Sequence, residues 1–350
     1  MAERTRVVAA DVVAAADGGA DRQLGNSSVE IPMERFKLHQ FYKPAAPWLM
    51  LAAVLLPPPS FAADAGSFPS PQAAVDALVA AVKAGDTDGI VAVLGEEGRE
   101  LASSGDAVAD AATRQRFTTA YDEGHELKGE ESARAVLIIG KDAFPFPIPI
   151  VATAGAWHFD TPAGAEEILD RRIGENELAA IEVLRAYVDA QREYAEADHD
   201  GKGQQYAQRL LSSDGKHDGL YWPAAESEPP SPFGPLIAEA QSEGYRKQAD
   251  RPQPYHGYLF RILTSQGKDA AGGARDYVVS GRMIGGFGLI ATPAEYGNSG
   301  VKTFLVNQDG VVFEKDLGPE TASLAAAVAN FNPDAGWTKA DSNYLHRSRH

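Results

Sequence analysis

The chain contains no cysteine. That excludes disulfides, thiolate metal sites, a cysteine nucleophile and a lipid-modified N-terminal cysteine. Positive charge is scarce: 32 lysines and arginines stand against 49 aspartates and glutamates, for a formal net charge of −17. The first 62 residues are balanced, with Arg4, Arg6, Arg22, Arg35, Lys37 and Lys43 against Glu3, Asp11, Asp17, Asp21, Glu30 and Glu34, so the whole excess lies beyond them. Such a surface repels phosphate backbones and anionic lipid and tolerates cations, which argues against a nucleic-acid partner. No Gly-x-x-x-x-Gly-Lys-Ser/Thr phosphate loop occurs, and Gly285-Gly286-Phe287-Gly288 sits inside a β pattern. The apolar run Ala45 to Leu56 is interrupted by Pro47 and ended by Pro57 to Pro59. It falls well short of the ~20 residues that cross a bilayer.

What is present suits a folded protein. Hydrophobic residues make up 44% of 350 and charged residues 23%, enough for one large core or two modest ones. The short apolar run follows Arg35, Lys37 and Lys43 and precedes Ser60-Phe61-Ala62-Ala63. A basic segment, a short apolar segment and small residues before a cut between Ala62 and Ala63 make a secretory signal, expected over 33–62. Translation is expected to begin at Met33, leaving 1–32 as a non-native or disordered extension. The destination is periplasmic or secreted, with no stable membrane anchor after cleavage.

Beyond the signal, the pattern reads as α+β in two modules, 63–165 and 166–350. Ser70-Pro71 is a helix start, and Val75, Leu78, Val79 and Val82 form one apolar stripe that Gly85-Asp86 ends. A second short helix covers Ile90 to Leu94 and a third Ala107 to Tyr121. Strands follow at Ala135–Ile139, Ile148–Thr153 and Ala156–Phe159. This opening, with "KAGDTDGIVAVL", is similar to the start of cystatin-like or NTF2-like domains, which often hold a cavity between helix and sheet. A long helix over Asn176–Ala197 presents Leu178, Ile181, Leu184 and Val188, and a proline-rich connection follows around Pro229, Pro230, Pro232 and Pro235. From Tyr255 onward short strands alternate with Gly, Asn and Asp turns, and Asp309-Gly310 is a hairpin signal. A long helix followed by an antiparallel meander is also the layout of pilin globular domains.

The segments "GENELAAIEVLRAYVDAQREYAEADHDGKGQQYAQRLLSSDGKHDGLYWP" (174–223), "SPFGPLIAEAQSEGY" (231–245), "YHGYLFRILTSQG" (255–267) and "GRMIGGFGLIATPAEYGNSGVKTFLVNQDGVVFEKDLG" (281–318) carry a resemblance. They resemble the bacterial exported family known as domain of unknown function 2950. The resemblance implies export and the two-part layout, and no reaction. Members of that family often read Asp-x-Asp-Gly-Asp-Gly where this chain has Asp198-His199-Asp200-Gly201-Lys202-Gly203, so a lysine replaces a carboxylate.

Several residue groups are candidates for chemistry. Asp198 and Asp200, with Asp214 and Asp218, offer oxygen ligands and glycine turns of the kind calcium uses. An EF-hand register from Asp198 fails, with Lys202 at the fifth position and Arg209 at the twelfth. The alternative is a helix end closed by Asp-Gly turns with solvated aspartates. His199 and His217 with the same aspartates would suit zinc. Ser299, in Gly297-Asn298-Ser299-Gly300, sits between glycines, but His125, His158, His199, His217 and His256 show no triad spacing, which favours a turn. The acid pairs Glu130-Glu131 and Glu166-Glu167 invite a glycosidase reading or, more simply, solvated faces. Phe144-Pro145-Phe146-Pro147-Ile148-Pro149 reads as a proline-guarded edge strand or a docking segment. Tyr255 to Tyr258 and Tyr221-Trp222 read as core or as groove walls. The functional expectation is a non-enzymatic binding or envelope-assembly protein whose partner is an envelope protein or a small ligand. The alternatives are a hydrolase of an envelope polymer and a small-ligand carrier using the N-terminal module.

Overall fold

Ser70 and Pro71 start the first helix of the structure, a computed structural model that describes residues 66–129, 133–224, 228–246 and 253–340. The signal segment, the cut at Ala62 and Ala63, and Glu130-Glu131 lie outside those residues. The Ser70 hydroxyl accepts from the Ala73 amide at 3.1 Å, capping α1 (Pro71–Ala84). Gly85, at φ +65°, ends it in the left-handed conformation that glycine adopts without strain. The expected stripe is buried at Val75, Leu78 and Val79. Asp86 caps α2 (Thr87–Leu94), a short α3 follows (Arg99–Ala102), and Asp106 caps α4 (Ala107–Glu123). The N-terminal sheet contains β1 (His125–Lys128), β2 (Arg134–Ile139), β3 (Phe144–Pro145), β4 (Ile150–Thr153) and β5 (Ala156–Phe159), all antiparallel. Ala74, Val75 and Leu78 close over Leu137, Ile148, Ile150 and Phe159 to make the first core. Each fully buried aliphatic side chain there is worth about 1.5–3 kcal/mol.

The longest helix is α5 (Ala165–Tyr194), 30 residues and about 45 Å at 1.5 Å per residue. It begins eleven residues before the expected start, because Gly174 lies inside the helix and does not break it. The proline-rich connection ends in an unexpected helix, α6 (Gly234–Glu243), with Pro235 in its first turn, where the missing amide costs nothing. The second sheet begins with β6 (Tyr258–Leu263). A two-hairpin excursion follows, pairing β7 (Ser265–Gln266) with β8 (Arg275–Asp276), then β9 (Val278–Val279) with β10 (Arg282–Met283). The chain returns through β11 (Gly288–Pro293), β12 (Lys302–Asn307), β13 (Phe313–Asp316) and, after α7 (Thr321–Ala326), β14 (Thr338–Lys339). The antiparallel order is β14-β13-β12-β11-β6.

Leu184, Tyr187 and Val188 of α5 meet Phe287, Leu289, Phe304 and Val306 on one face of this sheet. Leu263, Ile290, Leu305, Ala325 and Phe331 fill the opposite face. Cover on both faces explains why nearly every residue of β11 and β12 is buried, without the in-and-out alternation of a one-sided sheet. The class is α+β, with no closed barrel among the described residues. Among them, no helix is long and apolar enough to cross a membrane.

A buried polar seam joins the two cores. Asp106, 2% exposed, caps α4 through one carboxylate oxygen; the other accepts from the Tyr245 hydroxyl at 2.8 Å and the Gly257 amide at 3.1 Å. Arg172 donates to the Glu100 and Leu101 carbonyls at 2.7 Å each and to the Asn298 amide oxygen. Burial pulls the Arg172 pKa down, against the opposing pull of Asp110, Glu295 and Glu100. Asn298 donates to the Ser103 carbonyl and the Glu295 carboxylate, Asn176 donates to the Ser299 carbonyl, and the Glu177 carboxylate accepts from the Val301 and Lys302 amides.

Candidate binding groove

Where α5 ends, the chain turns back across its own last turns. Gln191, fully buried, fixes this return: its amide nitrogen donates to the Ala207 carbonyl and its oxygen accepts from the Ala207 amide, both at 2.8 Å. The same nitrogen donates to the Tyr187 hydroxyl at 2.9 Å, which in turn donates to the Gly288 carbonyl of the sheet. The 204–222 segment is thereby held against α5 and β11. Between it and the Asp198–Gly203 loop lies an open groove of about 520 Å³.

Two ring pairs shape the groove. The His199 ring stacks on Tyr194 (4.1 Å between centroids, 24° between planes), and the His217 ring stacks on Trp222 (4.3 Å, 18°). The two imidazoles are 6.5 Å apart and near-perpendicular. The Tyr194 hydroxyl donates to the His217 carbonyl at 2.7 Å, tying one pair to the other. His199 Nε2 lies 3.0 Å from the Tyr194 carbonyl, which can only accept, so Nε2 is the donor of this contact. Desolvation, with Asp200 and Asp218 nearby, pushes the Tyr194 phenol up to about 12, so it stays protonated at neutral pH.

The four expected calcium ligands divide. Asp200 and Asp218 line the groove, and Asp214 is exposed on the turn beside it. Asp198 turns back onto its own loop, accepting from the amides of Asp200, Lys202 and Gly203 at 3.3, 3.1 and 2.9 Å. The Gly203 amide above all holds the Asp198 carboxyl below the usual range. Lys202 places its ammonium 3.3 Å from Asp200, supplying positive charge from the chain itself. Desolvation pushes both Asp200 and Asp218 up, but local hydrogen bonds outweigh it and both end below the ordinary aspartate value. For Asp218 those bonds come from the Ser213 amide at 2.7 Å and hydroxyl at 2.9 Å. Among the described residues, no three or more histidine, aspartate or glutamate side chains gather to hold a metal ion.

Ser299 is fully buried and closes the 295–300 turn, donating to the Glu295 carbonyl and accepting from the Glu295 amide. Glu166 and Glu167 occupy the first turn of α5, where the helix dipole favours them, and Glu167 pairs with Arg171. Phe144 and Pro145 form a short strand against β2, with the Arg171 guanidinium over the Phe144 ring. Tyr255 and Tyr258 are core residues, and Trp222 is 8% exposed under His217. Gln205, Tyr206, Gln208 and Lys216 also line the groove and were not anticipated. The missed signal was spacing: each ring pair is five residues apart, Tyr194 with His199 and His217 with Trp222.

A second cluster was also missed. His256 adopts φ +44°, unusual outside glycine, and its ring lies 3.3 Å from the Glu243 carboxylate, which also accepts from the Tyr255 hydroxyl. Burial and nearby Glu239 raise the Glu182 pKa beside it, against the opposing pull of Arg185 and His256.

The family model described as "Protein of unknown function (DUF2950)" matches residues 65–340. The chain belongs to that family. No curated protein and no solved structure matches it, so the cystatin-like, NTF2-like and pilin-like comparisons gain no support. In this DUF2950 chain, the motif-rich segments divide between two tasks. Asn176, Glu177, Tyr245, Gly257, Asn298 and Ser299 build the seam, while 194–218 builds the groove.

Proposed function

We propose that this chain is an exported protein of the bacterial envelope that works by binding rather than turnover, with the groove beside Tyr194 as its binding site. The observation that carries this reading is the groove itself: two imidazoles held in fixed planes by larger rings, surrounded by polar groups whose orientations the loops already set. Pre-set geometry of this kind lowers the ordering cost of binding. Its acids favour binding over hydrolysis. A glycosidase or similar hydrolase needs one carboxylic acid with a raised pKa to protonate the leaving group, whereas both groove carboxyls are depressed. Export rests on the 33–62 segment, and an acidic surface suits a life among envelope proteins or small ligands rather than nucleic acid.

The test is an incubation of the purified protein with dye-labelled envelope polymers. No soluble product is expected. Release of product that disappears in Asp200→Asn or Asp218→Asn would replace the binding role with a hydrolase.

A further inference from the structure

We propose that the groove is a saccharide site, taking a sugar ring of an uncharged glycan against the exposed imidazole of His217, with His199 at its edge; this rests on the binding role proposed above. Three properties of the lining converge on that class. The first is shape: the exposed His217 ring is backed by Trp222, and the His199 ring, backed by Tyr194 and near-perpendicular to it, stands beside it in the lining. A sugar ring presents a C–H face that packs on such a plane, with hydroxyls around its edge. The second is the rim. Asp200 and Asp218 are acceptors held in place by their own loops, and Gln208 Nε2 is held by the Gly281 carbonyl at 2.9 Å, which orients the amide oxygen. Donors and acceptors on both sides of a ring match an edge of hydroxyls, each of which both donates and accepts.

The third property is charge. The lining holds two carboxylates, Asp200 and Asp218, and two ammoniums, Lys202 and Lys216, which cancel on a chain whose net charge is −17. An anionic ligand calls for a positive excess, and a hard cation calls for converging oxygens. A balanced lining suits a neutral, polar ligand. The volume, about 520 Å³, falls within the ~300–1,000 Å³ of small-ligand sites.

The proposal is tested by calorimetric titration of the full chain with two neutral sugars, N-acetylglucosamine trimer and maltotriose. Inorganic phosphate and calcium chloride serve as the other probes. One of the two sugars is expected to bind and to shift tryptophan emission through Trp222. His217→Ala and Gln208→Ala, both at exposed positions, are each expected to weaken it by about tenfold, while Gln115→Ala on α4 leaves it unchanged. The saccharide assignment is overturned if neither sugar binds at about 10 mM, or if binding is indifferent to both groove variants. Binding of phosphate or calcium without sugar overturns the ligand class and leaves a binding role standing. Silence from all four probes, together with turnover of an envelope polymer, removes both.

Discussion

Replacing Asp106 with alanine should weaken the protein more than any exposed acid would. Its carboxylate closes α4 by accepting from the Val108 and Ala109 amides at 3.1 Å, a cap worth about 0.5–2 kcal/mol. Its other oxygen is the partner of the Tyr245 hydroxyl and the Gly257 amide, and each donor left unpaired in a buried site costs about 1–3 kcal/mol. The expected loss is about 2.5–8 kcal/mol, a large part of the ~5–15 kcal/mol that stabilises an ordinary domain. Asp106→Asn keeps the capping oxygen but turns a donor toward the Gly257 N–H, and should cost about 1–3 kcal/mol. Tyr245→Phe removes one donor and should cost about 1–2 kcal/mol. The assay is urea unfolding followed by circular dichroism, with the slope unchanged so that midpoints report stability. Because Asp106 and Tyr245 touch, the double variant should be less damaging than the sum of the singles by about 0.5–3 kcal/mol. A loss below about 1 kcal/mol for Asp106→Ala, or strict additivity with Tyr245→Phe, would refute the seam as described.

Further outcomes can be checked on the same protein. Glu182 has a folded pKa raised by burial, so the folded state binds its proton more tightly than the unfolded chain does. Its contribution is favourable below the unfolded glutamate value of ~4.3 and is lost as pH rises through the folded value; Glu182→Gln should therefore raise the melting temperature at pH 7 and leave it unchanged near pH 4. Gly257 sits at φ +71°, and a Cβ there would meet Asn176 Nδ2 at 2.6 Å and Ser299 Cβ at 2.9 Å. Gly257→Ala should cost about 2–4 kcal/mol from overpacking and left-handed strain combined, and an unchanged urea midpoint would contradict the close fit. Millimolar calcium should leave the melting temperature unmoved; a rise abolished by Asp200→Ala would instead place a calcium ion at these aspartates.

What was legible in the sequence was local. Ser70-Pro71, Gly85 and Asp309-Gly310 are signals whose partners lie within a few residues, and each falls where the pattern placed it. The start of α5 was not legible, because Gly174 in a polar stretch resembles a break although its position leaves ample room. Pro235 misled in the opposite direction: clustered prolines suggest a connection, yet one of them opens α6. The seam was beyond reach for a different reason. Asn176 meets Ser299 across 123 residues and Asn298 meets Ser103 across 195, so no spacing rule links them. The groove stands between these cases. Its histidines and aspartates drew notice as metal ligands, but their ring partners became visible only once α5 and the returning segment were laid side by side.

An envelope role stands or falls on where the natural protein resides and how it begins. Edman sequencing of the chain recovered from fractionated cells tests this most directly. The expected result is a protein in the periplasmic or secreted fraction whose first residue is Ala63, adjoining the folded part that the structure describes from Gly66 onward. A chain found in the cytosol with residues 33–62 still attached would contradict it.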